Sequence, residues 1–163
     1  MTDKTRQLEN LVRLAEEQSS DGRRELLREI TDLFVDNQGA VGDKESSDFA
    51  TIIGQLVLDV EMDVRKHVAE QLCSLDNAPR DVVTMLANDE IEVARPVLMN
   101  SKVLTDDDLM SVIDKHGQDH IMAVTKREHV SEVVSDSIVE KGNDEVLASL
   151  AGNKGAEVST NAL

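Results

Sequence analysis

Apolar residues recur at three- and four-residue intervals along the chain, which is the spacing of helices that bury one face. The pattern predicts about ten or eleven short helices and no sheet, and therefore an all-α protein. The helices predicted in the N-terminal part lie at about residues 3–18, 22–37 and 46–60. Those predicted further on lie at about 62–74, from Asn77 onward, and at 90–100, 106–116, 120–128, 132–141 and 145–152.

Residues that commonly begin helices stand before the later segments. The predicted N-caps are Asp89, Thr105, Asp119, Ser131 and Asp144. Thr105 with Asp108 has the spacing of a capping box, in which each side chain accepts a hydrogen bond from the other residue's backbone. Gly142 is predicted to end the helix that Ser131 begins.

The segments after residue 59 resemble one another. They open with Asp63-Val64, Glu92-Val93, His120-Ile121 and Glu145-Val146, and the Val or Ile positions are separated by 29, 28 and 25 residues. A period of this size, with two short helices per unit, is typical of α-helical repeat arrays. We therefore expect one domain over residues 1–163. Residues 59–163 are predicted to form a curved α-solenoid of antiparallel helix pairs whose last repeat is incomplete, and residues 1–58 an irregular helical cap.

Several short motifs carry a family resemblance. They are Ala78-Pro79, Val93-Ala94-Arg95-Pro96-Val97-Leu98, Lys126-Arg127 and Asn153-Lys154-Gly155-Ala156. Through them, residues 64–158 resemble a bacterial family of proteins of unknown function built from HEAT-like repeats. The resemblance implies a right-handed helical solenoid. It implies no established activity, catalytic residue or cofactor.

The net charge of the chain limits the kinds of partner that it is expected to bind. The net charge is −16, with 7 basic and 13 acidic residues in 1–60 and 10 and 20 in 61–163. Because neither part is basic, we expect binding to neither nucleic acid nor an anionic membrane surface. Partners with basic segments would be attracted instead. No signal-peptide core or membrane-spanning apolar run is present and the lone Cys73 has no disulfide partner, so we expect a cytoplasmic protein.

Three sets of residues are candidates for a metal-binding or catalytic role. His116 and His120 have the spacing of two metal ligands, but Gly117 predicts a helix break between them and hence two surface histidines. Asp106-Asp107-Asp108 cannot converge on one ion from consecutive helical positions, so they are interpreted as charge at a helix N-terminus. Cys73 is expected to be a buried, unreactive thiol. We therefore expect no catalytic residue, no metal and no cofactor.

One basic pattern suggests a binding surface. Lys66 and Arg95 occupy the same repeat position, and Arg127 lies one helical turn later in its own unit. If stacked, the three would form a basic ladder able to bind an acidic peptide or a phosphate-bearing partner. The alternative is that these cations pair within the chain. The acidic residues at the repeat junctions are Asp63, Asp89 and Glu92.

These observations lead to three functional hypotheses. The first is a non-enzymatic scaffold or adaptor that presents a concave helical surface to a protein partner. The chain lacks Trp and Tyr, so its contacts with a partner would be polar or based on Leu and Met. The second is an enzyme, or a sensor of a small ligand or phosphate-bearing partner, whose site lies around the basic ladder. The third is a homo-oligomer formed through the C-terminal repeat, where Val146, Leu147 and Leu150 would lack full cover.

Overall fold

A computed structural model describes residues 20–36 and 43–159 of the chain. Nine α-helices lie in these ranges, and the only β pairing there is one isolated bridge. The helices are α1 (Ser20–Asp36), α2 (Asp43–Val57), α3 (Met62–Leu72), α4 (Arg80–Ala87), α5 (Ile91–Asn100), α6 (Asp106–Lys115), α7 (Gln118–Thr125), α8 (Glu132–Lys141) and α9 (Asp144–Ala151). The all-α prediction is confirmed for the described ranges. The helix predicted at 3–18 lies outside them.

The helices pack in two layers. In the first layer α1, α3, α5, α7 and α9 contact one another in that order. In the second layer α2 contacts α4, and α6 contacts α8. Several pairs of consecutive helices also contact each other across the layers, as α1 does with α2 and α4 with α5. Residues about one sequence period apart therefore meet, as do Asn88 and His116, which are 28 residues apart.

The core lies between these layers and is almost entirely aliphatic. The two phenylalanines, Phe34 in α1 and Phe49 in α2, meet edge to face with ring centroids 5.4 Å apart. Beyond them the buried side chains are mainly Leu, Ile, Val and Ala from every helix. Burying each larger aliphatic side chain contributes about 1.5–3 kcal/mol, so this continuous core holds the two layers together.

Two of the predicted caps are confirmed. The Thr105 hydroxyl accepts a hydrogen bond from the Asp108 amide at 3.2 Å, and the Asp108 carboxylate accepts one from the Thr105 amide at 2.9 Å. The Ser131 hydroxyl accepts from the Val134 amide at 3.4 Å, and α8 has the predicted bounds. These caps follow from sequence because donor and acceptor lie within one helical turn.

Two other predicted caps are wrong by one or two residues. Asn143, not Asp144, caps α9, because its side chain accepts from the Val146 amide at 3.0 Å. Helix α7 begins after Gly117, so Asp119 lies in its first turn. Acidic residues also stabilise the first turn through the helix dipole, so an aspartate alone does not mark the boundary.

The segment after α9 is fastened to the loop between α7 and α8. The Val130 amide donates to the Gly155 carbonyl at 3.0 Å, and the Glu157 amide donates to the Val130 carbonyl at 2.9 Å. A Cβ atom at Gly155 would lie 1.8 Å from the carbonyl oxygen of Glu128. Only glycine allows this close approach of two backbone segments.

The apolar face expected at the C-terminal repeat is mostly covered by the chain itself. Val146 and Leu150 are buried, and Leu147 is half-buried. The expectation of an open apolar face is therefore wrong for two of its three residues, because α9 packs on both α7 and α8. Self-association through this repeat stays a prediction.

Candidate functional site

Hydrogen bonds join the N-terminal ends of neighbouring first-layer helices. Arg65 in α3 donates to both carboxylate oxygens of Asp89, at 2.7 and 3.2 Å, and to the Val60 carbonyl at 2.6 Å. Each side chain of this ion pair is only 18% exposed. The Asp89 carboxylate also accepts from the Glu90 amide at 2.7 Å. The predicted capping role of Asp89 is therefore wrong, since Glu90 is the N-cap of α5 and Asp89 instead holds two helices together.

The two candidate histidines stack at the next junction. The rings of His116, at the end of α6, and His120, in α7, have centroids 4.2 Å apart and planes inclined by 13°. His120 Nε2 lies 2.8 Å from the Asp89 carbonyl oxygen, and His116 Nε2 lies 3.1 Å from Asn88 Oδ1. Because carbonyl oxygens only accept, both Nε2 atoms act as donors. The predicted helix break is confirmed, but the prediction of two surface histidines is wrong for His120, which is buried.

The surroundings of His116 lower its pKa and so favour its neutral form. Burial lowers the pKa of His116, and the neighbouring charges of His120 and Lys115 lower it further. Across the described residues, no group of three or more His, Cys, Asp or Glu side chains is placed to hold a metal ion. The observed contacts of the two histidines join α6 and α7 to the turn before α5.

The C-terminal ends of first-layer helices are joined in a similar way. Arg127 donates from Nη1 to the Leu98 carbonyl and from Nη2 to the Ser101 carbonyl, both at 2.6 Å, at the end of α5. Asn153 donates from Nδ2 to the carbonyls of Thr125 and Arg127, at 2.8 and 2.7 Å, at the end of α7. Two successive units thus each supply a side chain that satisfies free carbonyls at the end of the preceding first-layer helix.

The structure separates the three residues of the predicted basic ladder. Lys66 in α3 and Arg95 in α5 are exposed, and neither side chain makes an ion pair or hydrogen bond within the described ranges. Arg127 is half-buried, and both of its Nη atoms are held by the end of α5. The structure therefore brings Lys66 and Arg95 to equivalent exposed positions, whereas Arg127 turns inward.

A surface groove of about 490 Å³ lies between the end of α5 and the loop that joins α7 to α8. Its basic residues are Lys102, Lys126, Arg127 and His129. Its acidic residues are Asp106 and Glu128, and its apolar residues are Met99, Leu104 and Leu109. Sequence reasoning missed Lys102 and Lys126 because they share no repeat position, and only the adjacency of Lys126 to Arg127 gave a signal.

Ion pairs also join the helices of the second layer. Arg80 at the start of α4 binds Asp108 at the start of α6, with distances of 3.0 and 3.3 Å, and Lys141 pairs with Asp114. Partial burial raises the pKa of Asp108, but hydrogen bonds from Arg80 and Thr105 outweigh it, so this pKa lies below its usual value. The prediction that the Asp106–Asp108 run lies at a helix N-terminus is confirmed.

Cys73 gives no sign of an activated thiol. It is half-buried at the end of α3, and its Sγ donates to the Glu70 carbonyl at 3.2 Å. Burial raises its pKa, and the nearby Glu70 charge acts in the same direction, although a backbone hydrogen bond partly opposes them. A raised pKa keeps the thiol protonated, which makes it a poor nucleophile.

These features define a class: an all-helical protein whose two helix layers are joined at the helix ends by side chains from successive units. Residues 93–163 match a family described as "Uncharacterised protein conserved in bacteria (DUF2336)". The expected similarity to a bacterial family of unknown function is thus confirmed from Val93 onward. Searches of curated proteins and of solved structures found no match.

In the part of the chain that the structure describes, no helix is long and apolar enough to cross a bilayer.

Proposed function

We propose that the chain is a non-enzymatic protein interaction module, a scaffold or adaptor built as a HEAT-like solenoid and working in the cytoplasm. The observation that carries the proposal is the layered packing in which each first-layer helix contacts the next. Arrays of this kind expose a broad, rigid row of helices, which suits an extended partner better than a small substrate. The family match and the absence of a membrane-spanning helix among the described residues are compatible with this role.

The proposed contact surface is the exposed face of α3 and α5. Lys66 and Arg95 lie there at equivalent positions, two residues after Val64 and Val93. Their charges are not used by ion pairs within the described residues, in contrast to Arg65, whose guanidinium is held by Asp89. Exposed cations without internal partners are available to an acidic segment of another protein, so we keep these two as the partner-binding residues.

Side chains at the helix ends support a rigid platform. Arg65 holds α3 to the start of α5, and Arg127 holds the end of α5 from the following unit. With both ends of α5 fastened, its exposed face has a fixed orientation relative to its neighbours. A preorganised surface loses less conformational entropy when a partner binds.

The test is affinity purification from the native source with three versions of the protein. The Lys66→Glu/Arg95→Glu variant reverses the charge of the proposed surface. The Lys115→Glu/Lys154→Glu variant makes the same change in charge at exposed cations elsewhere. We expect one stoichiometric protein partner that is retained by the wild type and the control and lost by the first variant.

Two results would contradict the proposal. One is the absence of any stoichiometric protein partner for the wild type. The other is a partner retained equally by both variants, which would place the contact on a different surface. Circular dichroism must show the same helix content and melting temperature for all three versions, because the substituted side chains make no internal bonds within the described residues.

A further inference from the structure

The groove between the end of α5 and the α7–α8 loop concentrates positive charge on an acidic protein. Lys102, Lys126 and Arg127 all line it, and none of them forms an ion pair within the described ranges. His129 is also exposed at this groove. The chain as a whole has a net charge of −16, so a depression in which three cations outnumber two carboxylates is a local reversal of the surrounding charge.

The hydrogen-bond acceptors of Arg127 do not neutralise its charge. Its two Nη atoms donate to neutral carbonyl oxygens, of Leu98 and Ser101, and its Nε is buried with no acceptor. Burial lowers its pKa, whereas the charge of Asp106 acts in the opposite direction. Carbonyls orient the guanidinium but do not cancel its charge, so its field extends into the groove.

The start of α8 adds to this field. Ser131, the N-cap of α8, lines the groove, so the positive end of that ten-residue helix faces the same depression. Two acidic residues, Asp106 and Glu128, also line it and oppose the binding of any anion. Attraction to the three cations and repulsion from the two carboxylates both grow with the charge of the ligand, and the cations outnumber the carboxylates, so a ligand with two negative charges gains more than a singly charged one does.

We infer that this groove is a binding site for a phosphate group, with Lys102 and Lys126 as the side chains that contact it and Arg127 as a fixed positive charge beneath it. The two lysines are exposed and flexible, which suits a compact phosphate with several acceptor oxygens. Met99, which lines the groove and is only partly buried, offers contact to the organic part of a phosphate ester. The site does not depend on the adaptor proposal and lies on other residues.

The experiment is a titration of the ¹⁵N-labelled protein with inorganic phosphate and, separately, with O-phosphoserine, followed by amide chemical shifts at constant ionic strength and pH. Acetate serves as the singly charged comparison. We expect saturable shifts centred on residues 99–109 and 126–131 with both phosphates, and much smaller shifts with acetate. Tighter binding of O-phosphoserine would indicate an ester ligand, and equal binding would indicate free phosphate.

The variants make the result specific. Lys102→Gln/Lys126→Gln should weaken phosphate binding by about tenfold or more, because it removes two charge-assisted contacts. Lys115→Gln/Lys154→Gln removes the same charge from exposed positions outside the groove and should leave binding unchanged. The inference is overturned if phosphate causes no saturable shifts, if the groove variant binds as well as the wild type, if both variants lose binding equally, or if acetate produces the same shifts.

Discussion

Replacing Arg127 with methionine is expected to destabilise the protein by about 3 kcal/mol. This is more than would be expected if Arg127 were an ordinary exposed arginine on the surface of an acidic protein. Its guanidinium donates two hydrogen bonds of 2.6 Å to the carbonyls of Leu98 and Ser101. Methionine keeps much of the side-chain volume but donates to neither carbonyl. The variant therefore removes the link between the end of α5 and the following unit while largely preserving packing.

The magnitude follows from those two bonds. A hydrogen bond that involves a charged group contributes about 1.5–3 kcal/mol, which gives about 3–6 kcal/mol for the pair. We take the lower end because Arg127 is half-buried, its Nε is buried without an acceptor, and water can reach carbonyls at a helix end. For a chain of this length about 3 kcal/mol corresponds to a fall in melting temperature of about 6–12 °C.

The assay is urea unfolding followed by circular dichroism at 222 nm, with thermal unfolding as a second measurement. Arg95→Met is the matched control and should change the free energy of unfolding by less than about 0.5 kcal/mol, because Arg95 is exposed and makes no described bond. Arg127→Lys should fall between these, since one ammonium group cannot replace both arms of the fork. If Arg127→Met is as stable as Arg95→Met, the two carbonyl contacts do not stabilise the fold and the reasoning is refuted.

Three further predictions concern other positions. Gly155→Ala should lower the melting temperature and speed hydrogen exchange at the Val130 amide, because the Cβ of the new alanine would lie 1.8 Å from the Glu128 carbonyl oxygen. An unchanged exchange rate would contradict this contact. Thr105→Ala should cost about 1 kcal/mol in urea unfolding by removing a helix cap, whereas Thr105→Ser should be close to wild type. Burial lowers the pKa of His116 below its ordinary value of 6.5, so as the pH falls the unfolded state binds a proton before the folded state does, and the free energy of unfolding should decrease below pH 6.5. In urea unfolding, the His116→Gln variant should lose less stability over this pH range than the wild type does. An identical pH profile for the two proteins would refute this assignment.

Much of the secondary structure could be predicted because helix formation and capping are local. Thr105 and Asp108 lie within one turn of each other, as do Ser131 and Val134, so the chain order alone brings these partners together. The aspartates were less informative. Asp119 lies in the first turn of its helix and Asp89 binds Arg65, because a carboxylate can be stabilised either by a helix dipole or by a cation far away in sequence.

The candidate sites depended on contacts that the chain order does not reveal. His116 and His120 were recognised as neighbours across a helix break, but their stacking and the burial of His120 depend on the turn before α5, about 30 residues earlier. Lys102 and Lys126 had no common repeat position, yet the loops that carry them line one groove. That such residues are neighbours can be recognised only from the tertiary structure, in which the helix layers are packed together.

By itself, the sequence determined the all-helical class, two capped helix starts and the repeated spacing of apolar residues, because these depend on side chains within a few turns. The tertiary structure decided the roles of residues that the sequence had grouped together. Lys66 and Arg95 remain exposed, whereas Arg127 is held by carbonyls 26 and 29 residues earlier in the chain. Three cations with similar local surroundings differ because the free carbonyls at a helix end, and the side chain that satisfies them, meet only when one unit packs against the next.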